Sequence, residues 1–351
     1  MIFPTRRPRR APRRLACCLA AVTLTALAGC GDGPELTPQS LPPRAPVTIP
    51  AYDVDAEIAV GKAALSLVPA DATAITVTDF DQVRASLGVP DLTSEDPMSD
   101  RRDFWERARR ESVLLTEGML LDDSSELMLD HGFTQDDVDW EAHFTTPAGT
   151  GWILGFRPDL DMAAVQAAVD AGVVALAGGV VDTEQHLVSL GAVSPTDTDV
   201  DTWGTIEGIA ELTHDAPAES TYYRAGCVPL STALGPDADI EDQEAVVSAH
   251  DPTDLAPLSA FALSFADGLA TARLGAGRSD LFDRAELATD FPTVGELGFE
   301  DALVDEVVDP STGRIGYTVV APVPAATATL TDLLPFAVCN EVEPMEEPTG
   351  L

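Results

Sequence analysis

Two His-Asp dipeptides, His214-Asp215 and His250-Asp251, pair an imidazole with a carboxylate, as the metal centres of phosphohydrolases do. Such a centre needs further His and Asp on facing elements, whereas His131, His143 and His186 are scattered along the chain. Nucleophilic and phosphate-handling patterns are missing: there is no G-x-S-x-G, no H-E-x-x-H, no C-x-x-C and no G-x-x-x-x-G-K-[ST]. The one lysine, Lys62, is followed by alanine on an amphipathic stretch, so Ser-Lys and Schiff-base chemistry would rest on it alone. These residues identify no catalytic group and imply no cofactor.

Hard oxygen ligands are better represented. Asp197, Asp199 and Asp201, and again Asp237, Asp239, Glu241 and Asp242, place acids at alternate positions, as calcium loops do. An EF-hand loop also needs Gly at position six and Glu at position twelve. Counted from Asp197 these are Thr202 and Gly208, and from Asp237 they are Asp242 and Ser248. The expectation is weak calcium binding at most, and no dedicated metal site. With 59 acidic residues, carboxylate pairs suited to glycoside hydrolysis arise by chance, so they discriminate nothing.

Basic residues are concentrated in one place. Arg101, Arg102, Arg107, Arg109 and Arg110 fall within "DRRDFWERARR". Asp103–Arg107, Glu106–Arg110 and Arg107–Glu111 are spaced as i,i+4 pairs, and Phe104, Trp105 and Ala108 form a packing side. Arg101, Arg102 and Arg109 are the candidates for a cationic patch that docks an anionic partner or headgroup.

The first thirty residues concern location. Residues 1–14 hold six arginines and no acid, and residues 15–29 are apolar but too short to span a bilayer. The run ends in Leu27-Ala28-Gly29-Cys30, which resembles the lipobox of bacterial lipoproteins. That resemblance implies cleavage before Cys30, a diacylglyceryl group on its thiol, and attachment to the outer face of the cell membrane by two acyl chains. The Arg-over-Lys, Ala-, Asp- and Val-rich composition resembles that of uncharacterised actinobacterial lipoproteins. Cys17 and Cys18 would leave with the signal and Cys30 would carry lipid. Cys227 and Cys339 are then an even pair in an exported protein, expected to form a disulfide. Removing residues 1–29 shifts the formal net charge from −39 to −45, which argues against nucleic acid as a partner.

The elements that would position these groups follow from periodicity. Residues 30–50 are a Pro-rich tether. Residues 52–67 read as a helix, 73–78 as a strand, and Asp79 as the cap of a helix that Gly88 stops. A charged helix opens at Ser99 and runs toward Gly118. Hairpins are expected at "EAHFTT–GWILGFR", at 179–190 and at "AFALSFADGLATARLG", with a helix capped by Asp161 and stopped by Gly172. Within the weaker, acid-rich middle, 194–257, "PTDTDVD" and "GPDADIEDQE" read as exposed loops. A helix at "SDLFDRAELA", two strands around Pro-Ser-Thr-Gly and a helix over 325–337 complete the pattern. The fold class is α+β, with helices packed on antiparallel sheets, in two similar units over 51–195 and 196–340 and an acidic tail at 341–351. The function expected is non-catalytic binding or scaffolding at the envelope, with an envelope protein as partner. The alternatives are a solute-binding subunit of a transporter and an envelope hydrolase.

Overall fold

Alternation of Ile75 and Val77 with Thr76 and Thr78 suits a strand with both faces covered. In the computed structural model, which describes residues 48–197 and 199–345, this segment is β1 (Ala74–Asp79), one of the two central strands of a single ten-stranded antiparallel sheet. The first half of the sheet adds β2 (Val138–Thr146), β3 (Gly149–Phe156), β4 (Val180–Asp182) and β5 (Leu187–Leu190). The second half consists of β6 (Ser220–Ala225), β7 (Ala260–Ala266), β8 (Leu269–Arg273), β9 (Leu303–Asp309) and β10 (Arg314–Val319). The order across the sheet is β4-β5-β3-β2-β1-β6-β7-β8-β10-β9.

The two halves repeat one topology. β1 and β6 pair antiparallel with Thr76 opposite Tyr222 at the middle of the ladder. Outward from that pair, one row runs Thr76–His143–Trp152–Leu190 and the other Tyr222–Leu263–Ala272–Ile315. Equivalent strands thus pair in equivalent register on either side of the central ladder, and the two hairpin turns have equal length, Thr146 to Gly149 and Ala266 to Leu269. The tight turn of the second hairpin is made by Asp267 and Gly268, both at positive φ.

Eleven α-helices accompany the strands among the described residues. Those of the first half are α1 (Val60–Ala64), α2 (Phe80–Ser86), α3 (Met98–Glu111), α4 (Ser124–Asp130), α5 (Met162–Ala171) and α6 (Ile209–Leu212). Those of the second are α7 (Leu230–Leu234), α8 (Ile240–Ala249), α9 (Leu281–Thr289), α10 (Phe299–Ala302) and α11 (Pro322–Leu330). Because successive strand residues point to opposite faces, Tyr222 and Leu263 face one layer while Tyr223 and Ala262 face the other. The first layer is helical, with α2 to α5 over one half and α7 to α11 over the other. The second is thinner: α1, α6 and the segments around them cover β1, β2, β6 and β7 through Leu65, Leu67, Trp203 and Leu212.

Several expectations are corrected. The helix expected over 52–67 is confined to Val60–Ala64, and the irregular chain from Tyr52 to Ala59 walls a cleft. The charged helix ends at Glu111, where Ser112 turns extended. The run "GPDADIEDQE" is not all loop: from Ile240 it forms the start of α8, capped by Asp239 accepting from the N–H of Glu241 and Asp242. The last helix stops at Leu330, and 335–337 is a separate 3₁₀ turn. Asp79 and Asp161 cap α2 and α5 as expected. The expected signal, Cys30 and nearly all of the expected tether lie outside the described residues, as do the last six residues of the acidic tail. Among the described residues no helix is long and apolar enough to cross a membrane.

Candidate functional site

β1 and β2 end side by side with Asp79 opposite Trp140, and the irregular segment 52–60 stands over that end of the ladder. Between them lies a cleft of about 560 Å³. Tyr52 and Trp140 pack with ring centroids 5.7 Å apart, and six carboxylates surround them: Asp53, Glu57, Asp79, Asp81, Asp139 and Asp215. Among the described residues no basic side chain lines the space itself, although Arg84 and Lys62 reach its acids from the edge.

Two of these acids are tied into the framework. Asp79 Oδ1 accepts from the Gln82 N–H at 2.9 Å, the cap of α2, and Asp139 is paired with the buried guanidinium of Arg84. Burial nevertheless pushes the Asp79 carboxyl up to about 7, opposed by the Gln82 N–H and reinforced by Asp81 and Asp139. Burial also raises Asp139 to about 6, against the pull of Arg84. Tyr52 is pushed up to about 12, again chiefly by burial. At the rim Lys62 Nζ lies 2.8 Å from Asp215 Oδ1, so the single lysine serves an ion pair. The contact holds Asp215 below the usual carboxylate range.

Arg101, Arg102 and Arg109, read in the sequence as a cationic patch, do not act together. Arg101 is largely buried and its Nη1 donates to Asp136 Oδ2 at 3.0 Å, while Trp105 Nε1 donates to Asp136 Oδ1 at 2.9 Å. Arg109 lies over the Trp105 ring at 5.9 Å, and Arg102 is exposed. Of the three i,i+4 pairs expected on α3, Arg107–Glu111 forms at 3.6 Å. Arg110 instead pairs with the adjacent Glu111, and Arg107 Nη2 also donates to the Leu87 carbonyl. The buried Asp136, which the spacing on the helix itself did not reveal, orients this end of α3.

The acidic runs serve turns and caps. Asp239 and Asp242 form a capping box on α8, and Asp197 accepts from the Asp199 N–H. Among the described residues no group of three or more His, Cys, Asp or Glu is placed to hold a metal ion. His214 and His250 stand apart: His214 Nδ1 donates to the Ala216 carbonyl, and His250 Nε2 lies 3.6 Å from Asp290. Cys227 and Cys339 are joined by a disulfide, with Cα atoms 4.9 Å apart across 112 residues of sequence. The bridge fastens the strand end after β6 to the chain beyond α11, next to the backbone pairing of Val228 with Val338.

Sequence reading identified Asp79 as a cap but gave no reason to group it with Tyr52, Asp139 and Trp140. The only local signal was the acid-aromatic run Val138-Asp139-Trp140-Glu141 at the start of a strand. The chain matches no family model, no curated protein and no solved structure.

Proposed function

We propose that the protein is a lipid-anchored binding protein of the bacterial envelope, without catalysis of its own, that receives a positively charged group of its partner in the acidic cleft. The observation that carries this reading is the cleft's lining: six carboxylates around a Tyr52–Trp140 pair, of which Asp53, Glu57 and Asp79 have no ion-pair partner among the described residues. An ammonium or guanidinium would gain charge complementarity from the acids and a cation–π contact from the rings. A lysine or arginine side chain of an envelope protein fits that chemistry. The lipobox-like Leu27-Ala28-Gly29-Cys30 supports the location, and the proline-rich tether supports a folded part that stands off the bilayer. A solute-binding subunit has less support, because such proteins close two α/β lobes on their ligand and here one continuous sheet carries all ten strands of the described residues.

The purified full chain, titrated with a trilysine peptide and followed by tryptophan fluorescence, tests the reading. Saturable binding that weakens in Glu57→Gln and Asp81→Asn, two exposed lining residues, is the expected result. Absence of binding, or binding indifferent to both, would overturn it. Membrane fractionation of Cys30→Ser separately tests the anchor, which predicts release of the protein from the membrane.

Hydrolysis is a second reading, favoured by the elevation of Asp79 and Asp139 toward neutrality in one cleft. Against it, both carboxylates hold structural partners. A glycan-hydrolysing activity abolished by Asp139→Asn would put the enzyme first.

A further inference from the structure

We propose that the thin-layer face of β6, β7, β8 and β10 carries a binding site for a phosphate group that retains a proton, formed by Arg273, Tyr223, His214 and Arg314. The site shares no residue with the acidic cleft.

The repeat within the sheet shows why these residues stand out. On this face the first half presents the row Val77–Ala142–Ile153–Ser189, whose first three members are buried and apolar. The equivalent row in the second half is Tyr223–Ala262–Arg273–Arg314. The topology is therefore satisfied by isoleucine at the position where Arg273 stands. Ala262 separates Tyr223 from Arg273 with the smallest apolar side chain, and their backbones lie about 10 Å apart, two strand spacings.

Arg273 is 8% exposed and makes no ion pair among the described residues, in a chain with 59 acids. Its one side-chain hydrogen bond is a long contact from Nη1 to Ser264 Oγ at 3.4 Å, and its buried Nε has no partner. The hydroxyl of the fully buried Tyr223 has none either, nor has the buried Nε2 of His214. Buried polar atoms are seldom left unpaired, and three from one neighbourhood call for a common partner. Gly61 helps enclose them: a Cβ there would lie 3.4 Å from the Tyr223 hydroxyl and 2.9 Å from Thr221 Oγ1, so only a bare backbone lets α1 approach.

The chemistry of the unpaired atoms defines that partner. Arg273 and Tyr223 donate. His214 gives its Nδ1 hydrogen to Ala216, so Nε2 of the neutral ring accepts. Burial, then the charge of Arg273, lowers His214 to about 4 against the pull of Asp215, and burial with the adjacent Arg314 lowers Arg273 to about 10. A partner that accepts from two groups, donates to one and carries negative charge is an oxyanion bearing O–H. Phosphate keeps a proton near neutral pH, whereas sulfate and carboxylate do not. Arg314, exposed on β10, is paired with Arg273 at the solvent end of the row; Asp309, opposite it on β9, is occupied by Ser311 and Thr312.

Isothermal titration of the full chain near pH 7, in a chloride-free buffer, tests the site with inorganic phosphate, sulfate and glycerol phosphate. Phosphate is expected to bind saturably, and sulfate at least about tenfold more weakly for want of the hydrogen that His214 accepts. Glycerol phosphate binding as well as phosphate would assign the site to a monoester, and weaker binding to the free ion. Arg273→Gln should abolish phosphate binding. Arg314→Gln, at an exposed position that leaves the fold undisturbed, should weaken it about tenfold. No saturable phosphate binding, equal binding of sulfate, or phosphate affinity unchanged in Arg314→Gln would overturn the proposal and leave the three atoms to buried water.

Discussion

Ile153 and Arg273 occupy equivalent places in the two halves of the sheet, each paired with an alanine on the next strand, Ala142 for one and Ala262 for the other. Ile153 is sealed under the thin layer, while Arg273 brings a guanidinium without a carboxylate partner to the same depth. A buried, unpaired charge costs stability that a well-packed apolar residue does not. Arg273→Ile should therefore leave the fold intact and raise its stability by up to about 1–2 kcal/mol in urea unfolding. A loss of stability would mean that the arginine is a structural anchor.

Asp136 gathers Arg101, Trp105 and Thr134 around one buried carboxylate, at 3.0, 2.9 and 2.8 Å. Removing it strands a largely buried guanidinium and an indole N–H. Asp136→Ala should lower the stability to urea by about 3–5 kcal/mol. The exposed Arg102→Ala should fall within about 0.5 kcal/mol of the wild type.

The Cys227–Cys339 bridge closes a loop that holds β7 to β10 and α7 to α11. On the chain-entropy account, opening it costs roughly 4–5 kcal/mol. A Cys227→Ser/Cys339→Ser double variant should show that fall in denaturant unfolding, and the wild type should show it on reduction. Thiol counting on the non-reduced chain, after deduction of any cysteine outside residues 48–345, should find neither of these two reactive.

The raised carboxyl of Asp79 makes stability depend on pH. Its folded value, about 7, lies above the ordinary value of 3.8, so the folded state holds the proton more tightly than the unfolded chain does. The resulting stabilisation is complete below about pH 4 and declines as pH rises toward 7. Asparagine imitates the protonated form and still caps α2. Asp79→Asn should thus stabilise the protein at pH 8 by about 1 kcal/mol or more beyond its effect at pH 4. Equal effects at both pH values would show that Asp79 titrates as an ordinary carboxyl.

Local patterning made much of the fold legible. Alternation marked β1 and the hairpins, Asp79 and Asp161 capped their helices, and Gly88 and Gly172 ended them at positive φ. These features act within a few residues, so the chain carries them in plain order. The helix misread at 52–67 shows the limit. Val54, Ile58 and Leu65 have helical spacing, yet the segment gains more by spreading over the end of β1 and β2 than by coiling on itself.

By itself the sequence determined the α+β class, the hairpins, the disulfide partners and the acidity that dominates the cleft. Tertiary structure decided which groups meet. Asp79 and Asp139 are 60 residues apart and share a cleft only because β1 pairs with β2. Asp136 reaches Arg101 across 35 residues and removes it from any patch with Arg102 and Arg109. Arg273 sits on the opposite face of β8 from Ala272, and it is buried there close enough to act on His214, 59 residues earlier in the chain. Periodicity records which side of its own strand a residue takes, whereas burial and pairing depend on what the rest of the chain lays against that side.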